Sequence, residues 1–329
     1  MNADPVARGA TVTRGRGARR RIVDLSVAVD PAQLEPEPVL RKIINHRSGA
    51  DLLGQSYAYL LARGRVDRWL RLLRHRLGRG VTHKDFPAGE GLSLMHYTLT
   101  THTGTHMDAP FHYGSRVAGG GPGRTICEVP LEWCHGDGVL LDLTRGPADE
   151  AVTKEEVQAA LAEIGYELKP LDIVLLYTAG DREIGRPGYF QRFRGVSADA
   201  TEYLVGQGIR VIGVDSFGFD APFLRMLDEY VRTGEQSTLW PAHFYGRKHE
   251  YCHLERLTNL VSIGRPYGFE VSCLPVKLAG ADAGWCRVVA IVPGELNPAL
   301  YASAPSNWKV STEVRRSWTL ASSSNRRIR

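Results

Sequence analysis

An eleven-residue segment, 102–112, constrains the chain most, because it places three histidines and one aspartate close together. Imidazole nitrogens and carboxylate oxygens together suit zinc, manganese or iron at a hydrolytic or Lewis-acid site. The threonines and the Asp-Ala-Pro break favour an irregular loop after a strand over a helix. On such a loop His102, His106 and Asp108 can bind one ion while His112 folds back beside it. An inert surface loop is the alternative, but four ligand-type residues at this density disfavour it.

The segment reads His-x-Gly-Thr-His-x-Asp-x-Pro-x-His, and it resembles the signature of the metal-dependent cyclase/arylformamidase family. That family includes bacterial kynurenine formamidase, isatin hydrolase and cyclases of aromatic polyketide pathways. The resemblance covers about 92–292 and a short strand at 22–28. Residues 214–220 resemble the family's Asp-x-x-Ser-x-Asp, with Gly218 in place of the usual serine. The resemblance implies a single-domain α/β fold of the swivelling β/β/α type.

The resemblance also implies a ligand set and a catalytic residue. In a second cluster at 243–255, a glutamate follows a histidine by twelve residues, the spacing at which the family completes a two-metal site. Carried over by position, Asp108 and Glu255 bridge two ions, and His112 is the acid/base residue. One or two Zn²⁺ or Mn²⁺ ions per subunit are implied. The implied metal ligands are His102, His106, Asp108, His243 and Glu255.

The second cluster permits another interpretation, because residues 249–253 fit His-Glu-x-x-His. On a helix, His249 and His253 would share one face and Glu250 would be the general base of a zincin-type metallopeptidase. The glycine at 246 and the lack of a following Gly and third His disfavour this alternative. In the family interpretation, His249 and His253 are ordinary surface or supporting residues.

Strand and helix patterns alternate along the remaining chain. Thr153 to Glu156 reads as a capping box that opens a helix to Ile164, and Ser197 caps another that ends near Val205. This order predicts an α/β fold with a partly parallel sheet. Apolar runs predict strands at 22–29, 92–100, 138–143, 171–177 and 209–214, and a closing pair at 269–278 and 285–292.

Residues 35–90 are predicted to be a helical insertion before the metal-binding loop. Apolar residues recur at helical spacing around 52–61 and 66–77 with arginines between them, which predicts two amphipathic helices. These could form a solvated surface, a lid over the active site, or a contact for another subunit or an acidic partner. The predicted organisation is a flexible basic arm at 1–20, a metalloenzyme domain at 21–300 and a disordered tail at 301–329.

Composition limits the compartment and the partners. No apolar run is long enough to span a membrane, and five scattered cysteines without a Cys-x-x-Cys pair favour a reducing cytoplasm. We expect a homodimer or larger homo-oligomer that acts on an aromatic or polyketide-like small molecule. The expected reaction is amide, formamide or lactam hydrolysis, or aldol-type ring closure. A nucleic-acid-binding protein with a structural zinc is the non-enzymatic alternative. Structural zinc sites are usually rich in cysteine, and no cysteine lies near 102–112.

Overall fold

The helices and strands alternate along much of the chain, as a mixed α/β fold requires. A computed structural model describes residues 20–147 and 150–293. The strands are β1 (Arg20–Asp24), β2 (Leu40–Ile44), β3 (Leu94–Thr98), β4 (His106–Asp108), β5 (His135–Asp142), β6 (Ile173–Tyr177), β7 (Val211–Val214), β8 (Cys252–Glu255), β9 (Phe269–Ser272), β10 (Ala283–Trp285) and β11 (Val289–Pro293). The helices are α1 (His46–Leu60), α2 (Arg65–Arg76), α3 (Pro110–Tyr113), α4 (Lys154–Ile164), α5 (Ala198–Gly206), α6 (Phe223–Thr233) and α7 (Pro241–Tyr245).

The chain divides into two units. The larger unit contains the residues up to Ala28 and those from Gly104 onwards. It is built on a nine-stranded sheet. The strand order is β1-β11-β9-β5-β6-β7-β8-β4-β10. Strands β5 to β8 are parallel neighbours, and the flanking pairs are antiparallel. Strand β6 is buried at every position, as expected for a central parallel strand covered on both faces. The predicted α/β class with a partly parallel sheet is confirmed.

Side chains alternate between the two faces of this sheet and form two apolar cores. Leu140 and Leu175 belong to one core, while Leu141 and Leu176 belong to the other. Helices α4 and α5 contribute buried residues such as Leu161 to the second core. Full burial of each such leucine contributes about 1.5–3 kcal/mol to the free energy of folding.

The predicted helix starts in this unit are confirmed. The Thr153 side chain accepts from the Glu156 N–H, and the Glu156 carboxylate accepts from the Thr153 N–H at 2.9 Å. Helix α4 ends at Ile164, after which Gly165 takes a left-handed conformation. Ser197 caps α5. The first strand ends earlier than predicted, at Asp24, and beyond it Ser26 forms an isolated bridge with Leu257.

The closing β pair is also confirmed, since β9 and β11 pair antiparallel. The strand between them, β10, pairs instead with β4 and so flanks the segment 106–108. Among the described residues, no helix is both long enough and apolar enough to cross a membrane.

The smaller unit comprises residues 29–103 and contains α1, α2 and the two-stranded antiparallel sheet β2-β3. Asn45 caps α1 by accepting from the Ser48 N–H at 2.9 Å. A Cβ at Gly49 would lie 1.6 Å from the Leu92 carbonyl oxygen, so only glycine allows this close backbone approach. The two predicted helices are therefore present. That this segment is an insertion, and the domain limits 21–300, stay predictions. Apart from Arg20 in β1, the predicted arm and tail lie outside the described residues.

Candidate metal centre

Two neighbouring strands, β4 and β8, carry four ligand-type side chains on one face of the sheet. In their antiparallel register His106 lies opposite Glu255, and Asp108 lies opposite His253. The residues between them, at positions 107 and 254, point to the opposite face and pack in the apolar core. All four ligand-type residues are at most 8% exposed. Strand alternation thus gathers two imidazoles and two carboxylates in one buried patch.

The side chains in this patch are within contact distance. His106 Nε2 lies 3.3 Å from Asp108 Oδ1 and 3.5 Å from Glu255 Oε2. His253 Nε2 lies 2.7 Å from Asp108 Oδ2 and 3.7 Å from Glu255 Oε1. The backbone N–H of Phe219 donates to Glu255 Oε1 at 2.8 Å. Two carboxylates this deeply buried require cationic or hydrogen-bonding partners, because desolvation of an unpaired charge is costly.

The short helix α7 adds His243 to the patch. Its Nδ1 donates to the Asp220 carboxylate, which also accepts the backbone N–H groups of Ala242 and His243 at 2.8 and 3.0 Å. Burial by itself would lower the pKa of His243, but the hydrogen bond and negative charge of Asp220 raise it. Asp108, His243, His253 and Glu255 each offer a ligand atom, all within 4.8 Å of one another.

The imidazole hydrogen bonds decide which nitrogens can face a cation. His106 Nδ1 donates to the Gly104 carbonyl oxygen at 2.9 Å, and His243 Nδ1 donates to Asp220. His106 turns Nε2 towards Asp108 and Glu255, and in His243 Nε2 is the nitrogen that can bind a cation. Metal-binding histidines usually have this arrangement, with the second ring nitrogen donating to a carbonyl or carboxylate. The residues present thus fit a divalent cation with nitrogen and oxygen ligands.

His112 lies beside this patch, on α3. Its side chain is 25% exposed, with Nε2 at 3.8 Å from Asp108 Oδ2 and Nδ1 at 3.3 Å from Asp282 Oδ2. Partial exposure gives a small molecule access to the ring. His102 lies in the smaller unit, in the turn at 101–105 that leads to β4. Its role as a ligand stays a prediction.

The zincin alternative is wrong, because residues 249–253 do not form a helix. The chain is irregular up to Tyr251, and β8 begins at Cys252. His249 is exposed and stacks on a tyrosine ring, while Glu250 pairs with Arg124 at 2.8 Å. Neither side chain belongs to the candidate metal centre.

The expectation for His253 requires correction in one part, because it is not a surface residue, whereas its role as a supporting residue stays a prediction. This side chain is fully buried and contacts Asp108 directly. A signal for it was present in the sequence: residues two apart in a strand share a face, so a ligand at Glu255 places His253 beside it. Asp220 lies in the segment 214–220, but the sequence offered no role for it. The partner of Asp220 comes from α7, 23 residues later.

The five cysteines do not contribute to the centre. All are free, and four of them are buried. Within the described part of the chain, none belongs to a group able to bind a metal ion. The cysteine-rich closed coordination typical of structural zinc is therefore not found there.

The chain is similar to known proteins in sequence and in fold. A family model described as "Putative cyclase" matches residues 23–221. A kynurenine formamidase from Maricaulis maris (strain MCS10) is 31% identical over 194 residues, which cover 58% of this chain and 77% of the relative. Isatin hydrolase A from Labrenzia aggregata, bound to benzyl benzoate, shares the fold with a TM-score of 0.58 and 22% identity, covering 83% of this chain and 94% of that chain.

A second solved structure, of an isatin hydrolase bound to the product analogue thioisatinate, has a TM-score of 0.59 and 20% identity. The match covers 83% of this chain and 93% of that one. At this level of identity the two structures show a common fold. The family match spans more than half of the chain and includes the end of β1, β4 and the strands β5 to β7. The chain belongs to the cyclase family, as the segment 102–112 predicted.

Proposed function

We propose that the protein is a metal-dependent hydrolase that cleaves a C–N bond in an aryl formamide, amide or lactam. The buried group of His106, Asp108 and Glu255, with the partly exposed His112 at its edge, carries this proposal. The relatives named kynurenine formamidase and isatin hydrolase support a hydrolytic reaction on an aromatic molecule.

Zn²⁺ or Mn²⁺ would be held by His102, His106 and Asp108. Asp108, His243 and Glu255 are the residues that would hold a second ion where two are bound. A bound dication lowers the pKa of water to about 7 and polarises a carbonyl oxygen. The Nδ1 hydrogen bonds of His106 and His243 keep both rings in the orientation that a cation requires.

His112 would move the proton. The Asp282 carboxylate lies 3.3 Å from Nδ1 and can orient the ring, so that Nε2 faces the space beside Asp108. In hydrolysis, His112 Nε2 would give its proton to the leaving nitrogen. An imidazole ring can both take up and release a proton near neutral pH. Such proton transfer contributes roughly 10²–10⁴-fold in rate.

The same residues permit ring closure, and the matching family is described as a cyclase. In that reaction His112 Nε2 would remove an acidic α-proton, and aldol condensation with loss of water would follow. The reaction then depends on how the substrate is positioned. We also propose a cytoplasmic location, which the free thiols suit, and a homodimer or larger homo-oligomer.

The test uses purified full-length protein loaded with Zn²⁺ or Mn²⁺. It is offered an aryl formamide, isatin and a poly-β-keto aromatic precursor in parallel. We expect hydrolysis of the formamide or the lactam, and loss of that activity on chelation. Turnover of the polyketide precursor alone would replace hydrolysis with ring closure. Failure to bind any transition metal would overturn both.

A further inference from the structure

We propose that His253 is a hydrogen-bond donor that takes the place of a second cation, so that the centre binds one metal ion per chain. This inference rests on the metal site of the proposed function. It assigns a specific positioning role to a residue that the sequence interpretation left as a surface or supporting residue.

The position of His253 is the first argument. Its Nε2 lies 2.7 Å from Asp108 Oδ2 and 3.7 Å from Glu255 Oε1. A ligand atom of His243 lies within 4.8 Å of this group. Asp108, Glu255 and His243 are the residues that would surround a second ion. The His253 ring nitrogen therefore lies among the residues that would hold that ion and contacts both of their carboxylates.

The location of the proton is the second argument. A carboxylate only accepts hydrogen bonds, so a nitrogen 2.7 Å from Asp108 Oδ2 must carry a hydrogen. This holds for a neutral or a charged ring. A nitrogen that donates its hydrogen to Asp108 cannot give its lone pair to a metal. The two oxygens of Asp108 thus contact different histidines. Oδ2 faces His253, while Oδ1 lies 3.3 Å from His106 Nε2.

The other ring nitrogen supplies the third argument. His106 and His243 each donate Nδ1–H to an oxygen, which leaves Nε2 able to bind a cation. His253 Nδ1 is buried and has no hydrogen-bond partner in the part of the chain that the structure describes. If His253 bound a metal through Nε2, the hydrogen would move to Nδ1 and remain buried without an acceptor, which is unfavourable. The surroundings of His253 therefore favour Nε2–H.

Packing prevents the ring from moving aside for an ion. Its centroid lies 4.4 Å from that of Phe219, 4.6 Å from that of His243 and 5.1 Å from that of Tyr113. The side chain is fully buried. Densely packed interiors accommodate such displacements poorly. A second ion would thus have to displace an immobilised imidazole.

Metal stoichiometry tests the proposal. Wild-type protein, His253→Gln and His253→Ala are saturated with Zn²⁺, desalted and measured by elemental analysis and native mass spectrometry. His249→Ala, which removes an exposed histidine four residues away, is the matched control. We expect one ion per chain in the wild type and the control. We expect one in His253→Gln, because the amide N–H can replace the donor, and two in His253→Ala.

Each other outcome has a defined meaning. Two ions in the wild type, or no gain in folded His253→Ala, overturn the inference. Loss of the ion in folded His253→Ala would make His253 a ligand and also overturn it. Two ions together with hydrolysis of aryl formamides would contradict this inference alone. One ion without any hydrolysis or cyclisation would contradict the proposed function alone, and no ion would contradict both.

If His253→Ala does not fold, a measurement on the wild-type protein tests the proposal instead. After ¹⁵N labelling of the histidines and loading with ¹¹³Cd²⁺, we expect His253 to show protonated Nε2 and no coupling to cadmium. Coupling of cadmium to a His253 nitrogen would overturn the proposal without any variant.

Discussion

The Asp220 carboxylate binds His243 twice, through the ring Nδ1 and through the backbone N–H at 3.0 Å. It also accepts the N–H of Ala242, so one buried side chain both satisfies the first turn of α7 and orients an imidazole of the candidate metal centre. The ring orientation therefore depends on the position of a helix terminus. Trp240, which precedes α7 with φ of +48°, stacks on the same ring.

Asp220→Ala should destabilise the fold. The change removes three hydrogen bonds from a buried carboxylate and leaves backbone N–H groups of α7 without an acceptor. Hydrogen bonds to charged groups contribute about 1.5–3 kcal/mol each and are not additive, so we expect a loss of roughly 3–5 kcal/mol in the free energy of unfolding. Urea unfolding measures it. The exposed Asp228→Ala should change stability by less than about 0.5 kcal/mol, and equal effects of the two changes would contradict the structural role of Asp220.

His112→Ala should separate catalysis from metal binding. The ring lies 3.8 Å from Asp108 and is partly exposed, which suits proton transfer to a substrate. We expect kcat to fall by about 10²–10⁴-fold while metal content is retained. His102→Ala should lose metal and activity together. If His112→Ala loses its metal instead, His112 is a ligand and another residue transfers the proton.

Glu250→Gln and His249→Ala should leave both metal content and activity close to wild type. Glu250 forms an ion pair with the partly exposed Arg124, and such pairs contribute only about 0–1 kcal/mol to stability. His243→Ala, in contrast, should impair activity, because this residue lies within the buried centre. Kinetic assays and elemental analysis of the three variants make the comparison. A requirement for Glu250 as a base would restore the metallopeptidase interpretation.

Asp215 should make stability depend on pH. Burial raises the pKa of its carboxyl group to about 6 from the usual 3.8, against the opposing effect of two hydrogen bonds from Thr178. A raised folded-state pKa means that the folded protein binds this proton more tightly than the unfolded chain does. The contribution of the Asp215 proton to the free energy of unfolding is therefore fully present below about pH 4 and is lost as pH rises to about 6.

Asp215→Asn removes this titration. We expect the variant to gain stability relative to the wild type between pH 4 and 7, by up to about 3 kcal/mol. Chemical unfolding with a chelator present keeps the metal state constant at each pH. Asp228→Asn, at an exposed position, should follow the wild-type curve. Parallel curves for Asp215→Asn and the wild type would show that Asp215 is not protonated by burial.

Local interactions explain why several elements could be predicted. Thr153 and Glu156 form a capping box within one turn, so the start of α4 is readable from neighbouring residues. Strand β6 is apolar at each position, so its burial on both faces was also visible. The existence of a partly parallel sheet followed from the order of these elements. The order of the strands in the sheet could not be predicted in this way, because a pairing such as that of β10 with β4 joins residues far apart in the chain.

The sequence by itself identified the family and predicted a local set of candidate ligands, because the ligand-type residues lie within eleven positions of one another. It predicted an irregular loop for this segment, whereas His106 and Asp108 lie two residues apart on strand β4 and so share one face of the sheet. Only the tertiary structure decided how the remaining residues complete the centre. The pairing of β4 with β8 brings His253 to Asp108 across 145 positions, and the approach of α7 to Asp220 orients His243. Such contacts depend on strand register and helix docking, which arise from packing of the whole sheet, and no local spacing encodes them.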